Sequence, residues 1–298
     1  MGKRLGTRRT PASLLASRYF RSLVGFLPRK SVQLGAHIFA LSRFSTFDWL
    51  RSAENFKYVW LVMSRPTSPS RELAVLQRRI VTCTRCPRLV RYCREVAREK
   101  RRSYQDWDYW GKPIPSFGDP HAQLLILGLA PAAHGGNRTG RMFTGDRSGD
   151  FLFRGLCQAG FANQPTSLHR NDGLRLRNCY LTAALRCAPP KNQPKPEERR
   201  NCQPYLEEEL ALLQRVRAVL VLGRIAFDTY LRVLSKRQGF PPRSSFRFAH
   251  GASHPLPEGL PRLFCSYHPS QQNTQTGRLT PEMFRRVLDD IRGFLAFT

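Results

Sequence analysis

The stretch richest in chemistry runs over 128–149, GLAPAAHGGNRTGRMFTGDRSG. Its glycines, beginning with Gly128, leave backbone N–H groups free to face a ligand. Arg138 and Arg141 supply positive charge, Phe143 a flat aromatic face and Asp146 a carboxylate. Together they suit an anion, or a flat polar ring laid beside Phe143; the plainer alternative is a phosphate-binding or simply structural turn. The loop lacks the Gly-Lys-Ser/Thr ending of a P-loop and the G-x-G-x-x-G spacing of a dinucleotide site. Two other segments carry polar residues beside prolines: RCAPPKN at 186–192 and HPS at 268–270. Read singly, Asp146 suits a helix cap, Asn192 a turn and His268 a strand-end histidine satisfied by backbone.

The chain has eight cysteines. Cys83 and Cys86 form a C-x₂-C pair, and Cys187 and Cys202 lie about a hundred residues on. Four thiolates could hold a tetrahedral zinc or a [4Fe–4S] cluster, and spacing alone does not choose between them. Cys157, Cys179 and Cys265 read as core, and Cys93 is ambiguous. Nothing suggests secretion, so disulfides are disfavoured.

These residues need elements to hold them. Short apolar runs at 124–130, 179–186, 218–223 and 262–268 predict four buried strands. Helical periodicity covers 70–100 with a break at Pro87, then 150–160, 196–213, 224–234 and 280–297. Strands alternating with helices imply βαβ units. The expected fold is an α/β three-layer sandwich around a central, mostly parallel four-stranded sheet. Ligands of such sheets bind beyond the carboxyl ends of the strands, where GLAPA, RCAPPKN, GRIA and HPS would converge.

The 298 residues carry a formal net charge of +28, which favours a polyanionic partner such as DNA, RNA or an acidic membrane surface. Residues 1–62 hold eleven Lys/Arg against two acids and so nine of those net charges. This basic leader is expected to lie outside the folded domain of 63–298. It reads as a transit peptide, a basic arm, or sequence translated from too early a start, with Met63 as the alternative beginning. No apolar run is long enough to span a membrane.

Taken together the motifs resemble the uracil-DNA glycosylase superfamily, most closely its family 5. The residues that carry the resemblance are 128–149, RCAPPKNQPKPEE at 186–198, HPSQQNTQTGRLT at 268–280 and the four cysteines. The resemblance spans roughly 76–297. It implies hydrolysis of the N-glycosidic bond of uracil in double- or single-stranded DNA, with other deaminated bases as further substrates, leaving an abasic site. It also implies a [4Fe–4S] cluster on Cys83, Cys86, Cys187 and Cys202, with a structural role. Other branches of the superfamily place Asp or Asn where this chain has Ala130. Family 5 shares this absence, and the resemblance to it implicates Asp146 of the FTGDRSG segment with the attacking water and Asn192 as its companion. Phe143 would stack on the flipped base and His268 would donate to a base carbonyl oxygen. Gly128, Ala130 and Ser270 would complete the base site, and Arg138, Arg141 and Arg278 would contact DNA. The implied protein is a monomeric, bacterial-type cytoplasmic enzyme, with organellar targeting by residues 1–62 the lesser alternative. The competing reading is a catalytically weak relative that binds damaged DNA, and a weaker one is an RNA-binding protein.

Overall fold

Leu124, Ile126, Leu181 and Leu220 point to one side of a sheet, and Leu125, Leu127, Val219 and Val221 to the other. That two-residue period, with apolar residues at every position, is what a strand covered on both faces requires. The computed structural model describes residues 68–296; the basic leader expected at 1–62 lies outside the described residues. The strands are β1 (Phe117–Gly118), β2 (Leu124–Gly128), β3 (Cys179–Ala183), β4 (Ala218–Leu222), β5 (Ser253–His254) and β6 (Arg262–Ser266). Their order across the sheet is β1-β3-β2-β4-β6-β5. The four expected strands form the parallel centre, in a register that sets Leu124 opposite both Cys179 and Ala218. The sheet has six strands rather than four, because β1 and β5 add short antiparallel edges. Two-residue strands leave no alternation for a sequence reading to detect.

The helices are α1 (Pro69–Val81), α2 (Pro87–Glu99), α3 (Gly136–Thr139), α4 (Arg147–Gln158), α5 (Pro196–Leu212), α6 (Arg224–Leu234), α7 (Gln271–Gln275) and α8 (Pro281–Ala296). The break at Pro87 separates α1 from α2: a proline is tolerated in the first turn of a helix, where its missing N–H is not needed. Cys83 and Cys86 lie in the turn between them. Leu152, Phe153 and Leu156 of α4, with Phe284, Val287, Leu288 and Ile291 of α8, cover one face of the sheet. Phe227, Tyr230 and Leu231 of α6, Leu206 of α5 and Leu73 of α1 cover the other. Each of these buried side chains contributes about 1.5–3 kcal/mol of transfer free energy.

A buried ion pair joins this second layer to the sheet. Arg186, just past β3, bonds Glu209 of α5 and the Ser116 hydroxyl. Glu209 also accepts from Gln77 Nε2 at 2.9 Å, Ser116 Oγ at 2.5 Å and Thr182 Oγ1 at 2.6 Å. Burial pushes the Glu209 carboxyl up, but Arg186 and these donors outweigh it and hold the group ionised. Removing one member leaves the other charge buried and uncompensated. Glu209→Ala should therefore cost about 3–5 kcal/mol, and pairing it with Arg186→Met should restore most of that. Urea unfolding of the two single variants and the double variant measures both effects.

Candidate active site

Because the four central strands are parallel, the segments after β2, β3, β4 and β6 all leave from one end of the sheet. Gly128 closes β2, and a Cβ there would lie 2.8 Å from two atoms of the Phe143 ring. The ring therefore lies against the strand end because residue 128 has no side chain. Phe143 itself is held at a left-handed φ of 50°, a conformation costing a bulky residue about 1–3 kcal/mol. Its ring faces His268, with centroids 5.7 Å apart and planes tilted by 30°.

His268 follows β6. The turn carrying it is fixed by Asn273 Nδ2, which donates to the His268 carbonyl at 2.8 Å. Ser270 caps α7, its hydroxyl accepting from the Asn273 N–H at 3.4 Å. Enclosure among apolar groups lowers the His268 pKa to about 4, so the imidazole is neutral at physiological pH and can present an N–H as a donor.

Asp146 is the N-cap of α4, and its Oδ1 accepts from the Gly149 N–H at 2.9 Å. The helix-cap reading and the functional one thus fall on the same residue. The carboxylate also packs against Gly135, where a Cβ would stand 1.9 Å from Oδ2. Burial raises the Asp146 pKa from its ordinary value; the Gly149 N–H opposes that, and Asp150 adds to it. Asn192 is exposed just beyond β3, and both it and Lys191 are left-handed, at φ 57° and 54°. Two successive non-glycine residues in that region mark a segment held against its own preference. Ala130 is partly buried against the Leu89–Cys93 side of α2.

Two residues expected to contact DNA are buried. Arg141 is 4% exposed and forms a two-pronged pair with Asp172, at 2.9 and 2.7 Å. Although burial pushes Asp172 up, Arg141 and backbone donors hold its pKa down at about 2. Arg138 is 3% exposed and bonds the carbonyls of His134 at 2.8 Å and Gly145 at 2.7 Å. Both guanidinium groups are taken up by internal partners, Arg138 within the loop and Arg141 across to Asp172. Arg278, by contrast, is exposed and lies over the Tyr267 ring at 4.8 Å. Arg91, Arg94 and Arg98 form an exposed stripe on α2.

Cys83, Cys86, Cys187 and Cys202 line one cavity together with Leu89 and Arg186. Asn201 Nδ2 donates to Cys86 Sγ at 3.7 Å. Among the described residues, no three His, Cys, Asp or Glu side chains are arranged to hold a single metal ion. A four-iron cluster makes a different demand, since each thiolate binds its own iron. Four cysteines around one cavity fit that demand. Cys93 is buried and donates to the Ala188 carbonyl at 3.7 Å, while Cys179 and Cys265 are core residues of the sheet.

The sequence reading missed Tyr104 and Trp107. Both rings pack on the Arg138 guanidinium, with centroids at 3.9 and 4.0 Å, and stand edge-on to each other at 79°. Basic and aromatic residues interleaved in RRSYQDWDYW, at 101–110, were the available signal. Asp172 and Asn273 were missed as well, and no local pattern marks either of them.

A family model described as the uracil DNA glycosylase superfamily matches residues 115–292. The Type-5 uracil-DNA glycosylase of Thermus thermophilus is 53% identical over 209 residues, which cover 70% of this chain and 92% of that protein. The Type-5 uracil-DNA glycosylase of Mycobacterium bovis is 52% identical over 213 residues, covering 71% and 76%. That of Pyrobaculum aerophilum is 47% identical over 210 residues, covering 70% and 88%.

Two outcomes check this geometry. Gly128→Ala should displace the Phe143 ring and show as a changed Phe143–His268 contact in a crystal structure. His268 titrates at about 4 in the folded chain but near 6.5 when unfolded. Between those values the unfolded state binds the extra proton, so stability falls as pH drops from about 6.5 towards 4. The unfolding midpoint of His268→Gln, followed against pH, should fall less steeply across that window than the midpoint of the parent chain.

Proposed function

The chain belongs to the uracil DNA glycosylase superfamily, and from that membership we propose that it hydrolyses the N-glycosidic bond of uracil in DNA, leaving an abasic site as the first step of base excision repair. The observation that carries the reading is about half identity to Type-5 uracil-DNA glycosylases over most of their length. The placement of Phe143, His268 and Asp146 at one end of the sheet supports it.

The target nucleotide must leave the stack, at a cost of a few kcal/mol. Phe143 offers the extruded uracil a face to stack on. The C1′–N1 bond then breaks, and its electron pair leaves with the base. Negative charge grows on the uracil carbonyl oxygens, where the neutral His268 donates a hydrogen bond that strengthens as the charge develops. Positive charge grows on the sugar, and the Asp146 carboxylate stabilises it, as carboxylates do in glycoside hydrolysis. Asp146 also orients the water whose oxygen bonds C1′, with Asn192 as its companion. Two positions bear on substrate choice: Ala130 leaves the strand end without a side-chain acceptor, and Ser270 anchors the His268 turn. Other deaminated bases fall within the same chemistry.

Cys83, Cys86, Cys187 and Cys202 would hold a [4Fe–4S] cluster. The hydrolysis moves no electrons, so its contribution is to tie the α1–α2 turn to the segment carrying Asn192. Arg278 and the exposed arginines of α2 would track phosphates of duplex or single-stranded DNA, with the chain acting as a monomer. None of the described helices is long and apolar enough to cross a membrane.

Purified protein should convert a uracil-containing duplex to an alkali-labile product. Asp146→Asn and His268→Asn should each slow single-turnover cleavage by about 10²–10³ while leaving DNA binding in place. Absence of cleavage by iron-replete parent protein on uracil and other deaminated bases would overturn the activity in favour of damaged-DNA binding. Iron analysis should return about four irons per chain, lost in Cys187→Ala.

A further inference from the structure

Arg138 is a buried cation that the reaction described above does not use. Its guanidinium joins two separated points of the loop, the carbonyls of His134 and Gly145. Both points flank Asp146. Gly145 is its immediate neighbour in the chain, and His134 precedes Gly135, against which the Asp146 carboxylate packs. A Cβ on Gly145 would fall 2.4 Å from Arg138 Nη2, so backbone and guanidinium approach as closely as a glycine allows. Tyr104 and Trp107 both pack on the guanidinium, their rings edge-on to each other. Trp110 and Gly111 bond the carbonyls of Arg138 and Asn137 at 3.0 and 3.1 Å, tying the aromatic segment to the loop. Nη1 is buried without a hydrogen-bond partner among the described residues.

We propose that Arg138, packed against Tyr104 and Trp107, is the positioning residue that holds Asp146 in place and favours its ionised form. The inference rests on the reading of Asp146 as the carboxylate that orients water. The placing is geometric: a planar fork bridges two carbonyls at once, which the single ammonium of a lysine does less well. The ionisation is electrostatic. Burial acts most strongly against the charged form of Asp146; of the charged groups facing it, Asp150, one turn along α4, opposes its negative charge, and Arg138 across the loop favours it by a smaller amount. The N–H groups of Ser148 and Gly149 at the helix start act in the same direction as Arg138. A buried carboxylate with no cation nearby would tend to stay protonated, and a protonated Asp146 could neither stabilise the sugar cation nor accept from water.

The test uses the full chain and its Arg138→Met, Arg138→Lys and Trp107→Leu variants, with two readouts. Carbon-13 NMR of the Asp146 carboxyl, assigned by the signal absent in Asp146→Asn, follows its titration without reference to activity. Single-turnover cleavage of a uracil duplex, at saturating enzyme and across pH, follows the chemical step. Arg138→Met should move the Asp146 titration and the acid limb of the rate to higher pH. It should also lower the plateau rate by roughly a hundredfold, as a misplaced group does, while affinity for an abasic duplex stays unchanged. Arg138→Lys should restore the acid limb but only part of the plateau rate. Trp107→Leu should shift both in the direction of Arg138→Met by less, and it carries the test if Arg138→Met does not fold. A folded Arg138→Met with the parent's carboxyl titration and rate overturns the inference. So does a loss recovered wholly by raising enzyme concentration, which would make Arg138 a DNA contact. If the parent chain cleaves no uracil duplex, the activity reading fails by itself, and the carboxyl titration still decides the role of Arg138.

Discussion

An arginine buried without compensation costs several kcal/mol, and among the described residues three are buried around one end of the sheet. Each is satisfied differently. Arg141 is neutralised by Asp172, Arg186 by Glu209, and Arg138 is held by two carbonyls and two aromatic faces. The three guanidinium groups act as internal struts. Arg141 ties the Gly-rich loop to the 167–172 segment, Arg186 ties the end of β3 to α5, and Arg138 ties the loop across itself. Long loops with many glycines lose much conformational entropy on ordering. The charged struts offset part of that loss at the positions where Asp146, Asn192 and Phe143 must be held.

The same struts refine the meaning of the chain's basicity. A net charge of +28 is a statement about partners, but the arginines nearest the chemistry are the ones withdrawn from solvent. The side chains proposed for phosphate contact stand instead on exposed ground, Arg278 and the α2 stripe of Arg91, Arg94 and Arg98. The proposed base site sets the Phe143 ring against Gly128 with a neutral His268 beside it. This division suits a site that must attract a polyanion from a distance and yet receive an uncharged ring. A cation beside the base in the ground state would bind substrate and product alike, whereas a neutral donor strengthens mainly as charge develops.

Much of this was legible in one dimension. The four apolar runs form the parallel centre of the sheet because a strand buried on both faces needs apolar residues at every position. The two edge strands left no such trace. Gly128, Phe143, Asp146 and His268 stood out because a Gly-rich loop and a proline-flanked histidine are local patterns. The four cysteines were recognisable as a set, and the structure brings them around one cavity. The burial of Arg138 and Arg141 was not legible, for a physical reason. An arginine in a loop looks the same whether it faces solvent or a carboxylate thirty residues away, and charge in a sequence carries no record of burial.

The sequence by itself determined the layered α/β architecture, the end of the sheet where ligands gather, and the residue types available there. These follow from periodicity, from turn chemistry and from the fixed handedness of crossover connections, all of which act over short stretches of chain. Only the tertiary structure decided which charges are spent inside and which face solvent. It also decided that Asp146 both caps a helix and lies buried against Gly135, and that Tyr104 and Trp107 close over Arg138. Those outcomes depend on contacts between residues far apart in the chain. Their energies come from burial and from distances of a few ångströms, which exist only once the layers have packed.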